Sequence, residues 1–154
     1  MKKISFFLMV MLMFSVMGCS QYENKSIEEQ FKDSMNRNGM HYDSIWHIEV
    51  KDNYVIIFYE NEKKLNIGFM ENYKGKWRWK FGIGSADIDR EGYLASGELG
   101  LPFYLAVVVN PTGKDVRIKV LGKDAKLVQI SPNKKLWFAF TSKPPNGYKK
   151  EEIN

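Results

Sequence analysis

The chain has 154 residues, 23 Lys and Arg against 18 Asp and Glu (net charge +5), two His and one Cys. That length suits one domain of ordinary size, and 44% hydrophobic with 27% charged residues excludes both a disordered tail and a multi-span membrane protein. A single Cys excludes an intramolecular disulfide, a CxxC redox centre and a thiolate zinc cluster.

The N-terminus differs from the rest. Lys2-Lys3 form a short positive region, and Ile4 to Met17 is a 14-residue run interrupted only by Ser5 and Ser15. A permanent span needs about 20 apolar residues to cross the hydrocarbon layer, so this run is too short. A basic start followed by 7–15 apolar residues is instead the pattern of a secretory signal. It ends in Val16-Met17-Gly18-Cys19, an aliphatic residue at −3, Gly at −1 and then the chain's one Cys. This tetrapeptide resembles the lipobox of bacterial lipoproteins, with Met17 standing where a small residue is usual. The resemblance implies that Cys19 receives a diacylglycerol through a thioether and that cleavage falls between Gly18 and Cys19. The two acyl chains of that diacylglycerol suit stable anchoring, because one chain holds only marginally. The expected address is the extracytoplasmic face of the cell membrane.

Cleavage there leaves 136 residues (154 less 18) carrying 21 positive and 18 negative charges, a net +3. Residues 19–25 then serve as lipidated Cys and tether, residues 26–142 as a single β-rich domain, and residues 143–154 as a frayed tail.

The first expected element is a helix. Ser26-Ile27-Glu28-Glu29 is an S-x-x-E capping box. Ile27, Phe31 and Met35 recur at i, i+4 and i+8 with Lys32, Asp33 and Asn36 outside, and Asn38-Gly39 offers a left-handed stop. From Tyr42 the period becomes two. In 45–50, Trp46, Ile48 and Val50 share one face and His47 and Glu49 the other. Strands follow at 54–59, 65–70 and 77–81, the last with aromatic and basic residues in strict alternation, giving an antiparallel meander with one apolar and one wet face. After an irregular centre come strands at 103–109, 116–120, 126–130 and 136–140. The expected fold is mainly β (α+β), with one N-terminal helix packed on about eight short antiparallel strands in a sandwich or rolled sheet. The body also resembles small lipoproteins of low-GC Gram-positive bacteria in Tyr54–Tyr59, Gly75-Lys76-Trp77-Arg78-Trp79 and Lys135-Leu136-Trp137-Phe138. That likeness implies a fold and an address, and no activity.

Few parts for catalysis are present. His41 and His47 belong to no HExxH, and there is no GxSxG, SxxK or P-loop. His47 and Glu49 are expected side by side, most simply as solvated neighbours on a strand. The most specific internal motif is Asp87-Ile88-Asp89-Arg90-Glu91-Gly92-Tyr93-Leu94-Ala95-Ser96-Gly97-Glu98. It places acids at loop positions 1, 3, 5 and 12 and Gly at 6, resembling a calcium loop in which Asp87, Asp89, Glu91, the Tyr93 position and Glu98 are the ligands. Glu91 is one methylene longer than the usual fifth residue, and Gly and Pro on both flanks rule out EF-hand helices, so an acidic hairpin tip is the plainer reading. Trp77-Arg78-Trp79-Lys80 reads as core on one face and cations on the other, which argues against nucleic acid as a partner because stacking and charge would not meet a ligand together. The functional expectation is a lipid-anchored binding or accessory protein of the cell envelope, with an envelope protein or wall polymer as partner and no cofactor other than possible calcium. The alternatives are a calcium-binding adhesion or sensor domain, and an envelope-directed hydrolase using carboxylates such as Asp87, Asp89 and Glu98.

Overall fold

A computed structural model describes residues 25–112 and 116–153. Gly18 and Cys19, with the whole signal sequence, lie outside the described residues.

The chain opens with α1 (Ile27–Arg37). Its capping box forms as the sequence predicts: the Glu29 amide donates to Ser26 Oγ at 3.2 Å, and the Ser26 amide donates to Glu29 Oε2 at 2.7 Å. Both would otherwise be unsatisfied at the helix start. Phe31 and Met35 are fully buried, and the helix ends at Asn38 before Gly39 at φ 62°.

Eleven antiparallel strands follow among the described residues: β1 (Ser44–Lys51), β2 (Tyr54–Asn61), β3 (Lys64–Tyr73), β4 (Lys76–Asp87), β5 (Gly92–Ala95), β6 (Tyr104–Val109), β7 (Val116–Val120), β8 (Lys123–Asp124), β9 (Lys126–Ser131), β10 (Lys134–Thr141) and β11 (Lys149–Glu152). They form three sheets, in the orders β1-β2-β3-β4, β5-β6-β10-β9 and β11-β7-β8. The fold is therefore mainly β, with a helix on a sandwich-like stack and, among the described residues, no closed barrel. The tight hairpins need left-handed residues, supplied by Glu62-Lys63 (φ 51° and 59°) between β2 and β3 and by Lys74-Gly75 (φ 52° and 79°) between β3 and β4.

The layers run α1, first sheet, second sheet, third sheet, with an apolar layer at each boundary. Tyr54, Ile56 and Phe58 of β2 face the second sheet, among Leu105, Val107, Leu136 and Phe138, whereas Val55, Ile57 and Tyr59 face α1. The opposite face of the second sheet places Val108 and Trp137 against Val116, Ile118 and Val120 of the third. A fully buried Phe or Ile contributes roughly 1.5–3 kcal/mol, so every layer adds substantially to stability.

Three differences from the sequence expectation share one origin. The first sheet has no wet face, because the helix covers the side left free by the second sheet. β1 and β4 must then supply apolar groups to both sides, and bulges do this. At Trp46 the register steps from Ile45 opposite Tyr59 to His47 opposite Phe58. Trp46 thus joins the intersheet layer while Ile45 and Ile48 lie on the helix side, and Val50 is exposed. A bulge at Lys80 similarly separates Trp77 and Trp79, under the helix, from Phe81, between the sheets. The three aromatics expected on one face divide between two. The segment expected to fray also differs, since β11 pairs with β7 from Lys149 opposite Lys119 to Glu152 opposite Val116.

Gly68 marks the tightest point beneath the helix. A Cβ there would lie 2.5 Å from Trp79 Cζ3 and 2.7 Å from its Cη2, and Trp79 is held against Phe31 at 6.1 Å between ring centroids. Gly68→Ala is expected to destabilise the fold by about 1–3 kcal/mol through overpacking, measured by urea unfolding. Trp79→Leu should relieve most of that loss in a double-mutant cycle; an equal loss in both backgrounds would show that the ring is not the obstacle.

Candidate functional site

The proposed calcium-loop residues take separate tasks. Asp87 ends β4; its Oδ1 accepts the Asp89 amide at 2.9 Å and its Oδ2 lies 3.7 Å from Arg90 Nε. Glu91 turns instead to the joint between the second and third sheets. Its Oε2 accepts from the Thr112 amide and hydroxyl, both at 2.8 Å, with Lys150 Nζ at 3.4 Å, and its Oε1 accepts from the Tyr148 hydroxyl. Tyr93 packs its ring on Tyr148 at 5.6 Å in the layer against the third sheet. Glu98 lies in the irregular stretch after β5. Among the described residues, no three His, Cys, Asp or Glu side chains are gathered so as to hold a metal ion.

The Thr112 amide, then the Tyr148 hydroxyl, hold Glu91 down to about 2, against the burial that opposes its ionisation. Burial, then the adjacent carboxylate, push Tyr148 up to about 12. The Glu91 cluster therefore ties β5, the turn after β6 and β11 together. Two further carboxylates act in the same way between the first and second sheets. Glu60 on β2 accepts from Lys134 Nζ of β10 at 2.9 Å and from Trp46 Nε1 at 3.0 Å. Glu49 on β1 accepts from Lys126 Nζ of β9 at 2.7 Å and contacts His47 Nε2 at 2.9 Å. Burial works against the charge on both, but these donors outweigh it and hold each carboxyl below its ordinary range.

The expected His47–Glu49 pair thus exists, in a different setting. His47 is only partly solvated: its ring lies 5.9 Å from Phe58 and 5.7 Å from Phe138, at the margin of the intersheet layer. The Trp46 bulge turns it there. His41 is elsewhere, in the connection between α1 and β1.

That connection forms a wall of a cavity of about 590 Å³, lined by Glu28, Lys32, Asn36, Met40, His41, Tyr42, Asp43, Ser44 and Ile45. Glu28, Lys32 and Asn36 lie at i, i+4 and i+8, so they fall in one row along α1. Glu28 and Lys32 pair at 2.8 Å, and this bond first of all holds the Lys32 ammonium above its ordinary range. The opposite wall is fixed in place. The Tyr42 ring packs on Phe31 at 5.3 Å, the Asp43 amide donates to the Glu60 carbonyl at 2.7 Å, and Asp43 Oδ2 accepts the Glu62 amide at 2.8 Å. The side chains of Asn36 and His41 make no hydrogen bond to any described residue. Nothing in the local sequence pattern marks this cavity as a unit. The one available signal was the polar row Glu28, Lys32, Asn36 running beside the apolar row of the same helix.

No protein-family model, curated protein or solved structure matches the chain.

A group whose folded pKa is lowered stabilises the fold above its unfolded pKa, and that contribution is lost as pH falls through the folded value. For Glu91 the window runs from the ordinary 4.5 down to about 2. Thermal unfolding followed across that range should show stability falling with acidification, and Glu91→Gln should flatten the curve without abolishing it, since Glu49 and Glu60 add the same sign. An unchanged acid limb in Glu91→Gln would remove Glu91 from the account.

Proposed function

We propose that this is a lipid-anchored protein of the extracytoplasmic face of the cell membrane, acting as a binding or accessory module of the cell envelope. One observation carries the reading: Val16-Met17-Gly18-Cys19 closes the apolar run behind Lys2-Lys3 and contains the chain's one Cys. Only six residues, seven Cα–Cα steps, separate Cys19 from Ser26, the N-cap of the first helix. A chain of that length spans at most roughly 25 Å, so the folded domain would be carried close to the bilayer. The partner is an envelope protein or a wall polymer. A mature charge of +3 (21 positive, 18 negative) is too mild to carry polyanion binding by itself.

Binding is favoured over catalysis by where the perturbed carboxylates lie. Glu49, Glu60 and Glu91 are each engaged by cations or hydroxyls from another layer, and such ion-pair networks lower a pKa without serving a reaction. Calcium binding by Asp87, Asp89, Glu91, Tyr93 and Glu98 would need Glu91 released from Thr112, Tyr148 and Lys150.

Mass spectrometry of membrane-fractionated protein from its host should find a lipid-modified N-terminal Cys19 and no residues 1–18. Cys19→Ala should remove the lipid mass and abolish stable anchoring. Recovery of Cys19→Ala still firmly membrane-bound, or of an unmodified Cys19, would overturn the reading.

A further inference from the structure

We propose that the end of the first sheet formed by the β1–β2 and β3–β4 turns rests on the anionic surface of a phospholipid bilayer. The two turns lie side by side. Tyr54 pairs with Lys51 and Glu71, Tyr73 pairs with Lys76, and the Asn72 amide donates to the Asn53 carbonyl at 3.0 Å. The helix starts at this same end: the Trp77 amide donates to Gln30 Oε1 at 2.9 Å, and Gln30 Nε2 donates to the Lys25 carbonyl at 2.7 Å. The chain returns from the helix to the opposite end of the sheet, where Ser44 pairs with Glu60. Six Cα–Cα steps run from Cys19 to Lys25, a reach of at most roughly 22 Å. An anchor at Cys19 therefore holds the turn end of the sheet toward the bilayer.

Charge is concentrated there. Residues 50–54 and 71–80 hold five cations (Lys51, Lys74, Lys76, Arg78 and Lys80) and two carboxylates (Asp52 and Glu71), a net +3. The remainder of residues 19–154 holds 16 charges of each sign, so the whole positive excess of that stretch lies at this end. Asp52 and Glu71 are engaged by Lys51 at 3.6 Å and Lys80 at 3.0 Å. Acids of the nearby first helical turn are engaged too, Glu29 by the Ser26 amide and Glu28 by Lys32. Lys74 and Arg78 pair with no carboxylate among the described residues and instead lie 5.3 Å and 4.6 Å from the centroid of the Tyr73 ring.

Apolar surface decides between a bilayer and a soluble polyanion. Val50 and Tyr73 are the exposed large apolar side chains of the first sheet, at 55% and 50% accessibility, and both stand at this end. A soluble phosphate polymer would satisfy the cations and leave those two side chains in water. A bilayer serves both: headgroup phosphates take the Lys and Arg charges, and the interfacial zone takes a Tyr ring beside them. The orientation rests on the anchor proposed above; the gathering of charge and apolar surface at one end does not.

The test follows acetylation of lysines in the protein purified from its host's membranes. It is reconstituted into vesicles of phosphatidylcholine alone or of an equal mixture with phosphatidylglycerol. Lys74 should react about fivefold or more slowly in the mixed vesicles, the factor that one cation near an anionic surface commands, and raised salt should restore its rate. Lys123, exposed on the third sheet, should react equally in both. Arg78→Glu and Tyr73→Ser should each remove most of the slowing with thermal unfolding unchanged, since both side chains are exposed. Equal Lys74 rates in the two vesicles, equal slowing at Lys123, or slowing undiminished in both variants would overturn the proposal. So would protection of Lys74 by a soluble glycerol phosphate oligomer as strong as that given by the mixed vesicles. The full-length Cys19→Ala chain should show the same selective protection at a higher lipid concentration, so failure of the anchor and failure of this surface are separately visible.

Discussion

Burial of the first sheet on both faces is the constraint from which the rest of the structure follows. A sheet with one wet face alternates apolar and polar residues, but a sheet between two layers needs apolar groups on both sides. β2 meets that demand outright, with Val55 to Phe58 fully buried and Tyr54 and Tyr59 nearly so. The outer strands of the sheet cannot, because their rims meet solvent. In β1 and β4 the added residues at Trp46 and Lys80 reverse the alternation partway along, so one strand serves the helix in one part and the second sheet in another. Without those two reversals, either α1 or the second sheet would have lost its apolar surface.

The same reversals create the polar features. The turn at Trp46 carries His47 to the aromatic margin of the sandwich and directs Trp46 Nε1 onto Glu60. At Lys80 the bulge lets the ammonium reach Glu71 at 3.0 Å and the Tyr54 hydroxyl at 3.2 Å. Lysines in β9 and β10 reach back to Glu49 and Glu60 from the second sheet. These ion pairs ring the apolar layer at its edge, where water still solvates part of each charge. In such positions their value lies more in fixing the register of one sheet on the other than in net stability. The cavity beside α1 lies outside this ring, formed where the chain leaves the helix and before its first strand is fully paired.

Much of the architecture was legible from local pattern. Ser26 and Glu29 define the helix start, the Ile27, Phe31, Met35 spacing defines its buried row, and runs such as Val116–Val120 declare strands by period two. The less legible parts were those set by long-range pairing. β5, β8 and β11 are too short or too polar to announce themselves: β11 reads Lys-Lys-Glu-Glu and exists because β7 offers it an edge. The bulges were hidden for a similar reason. Trp77, Arg78, Trp79, Lys80 and Phe81 alternate in sequence with no interruption, and only the partner strand β3 reveals that the last aromatic faces the other way. Glu91 carries more than its spacing from Asp87 and Asp89 conveys, since its hydrogen bonds run to Thr112 and Tyr148, 21 and 57 residues on. The wall of the cavity combines a helix row with a connecting loop, and nothing local relates the two.

The strand that makes this layered stack possible is also its principal hazard. Tyr54-Val55-Ile56-Ile57-Phe58-Tyr59 contains no charge, no Gly and no Pro, the composition of segments that stack with copies of themselves into cross-β assemblies. In the native fold it is covered on four sides, by β1 and β3 along its edges and by α1 and the second sheet on its faces. Asp52 before it and Glu60 after it place charge at its ends, as gatekeeping residues do. Loss of the helix or of β1 would therefore uncover a self-complementary surface, so that partial unfolding leads toward aggregation and the chain depends on remaining either fully folded or shielded until it folds.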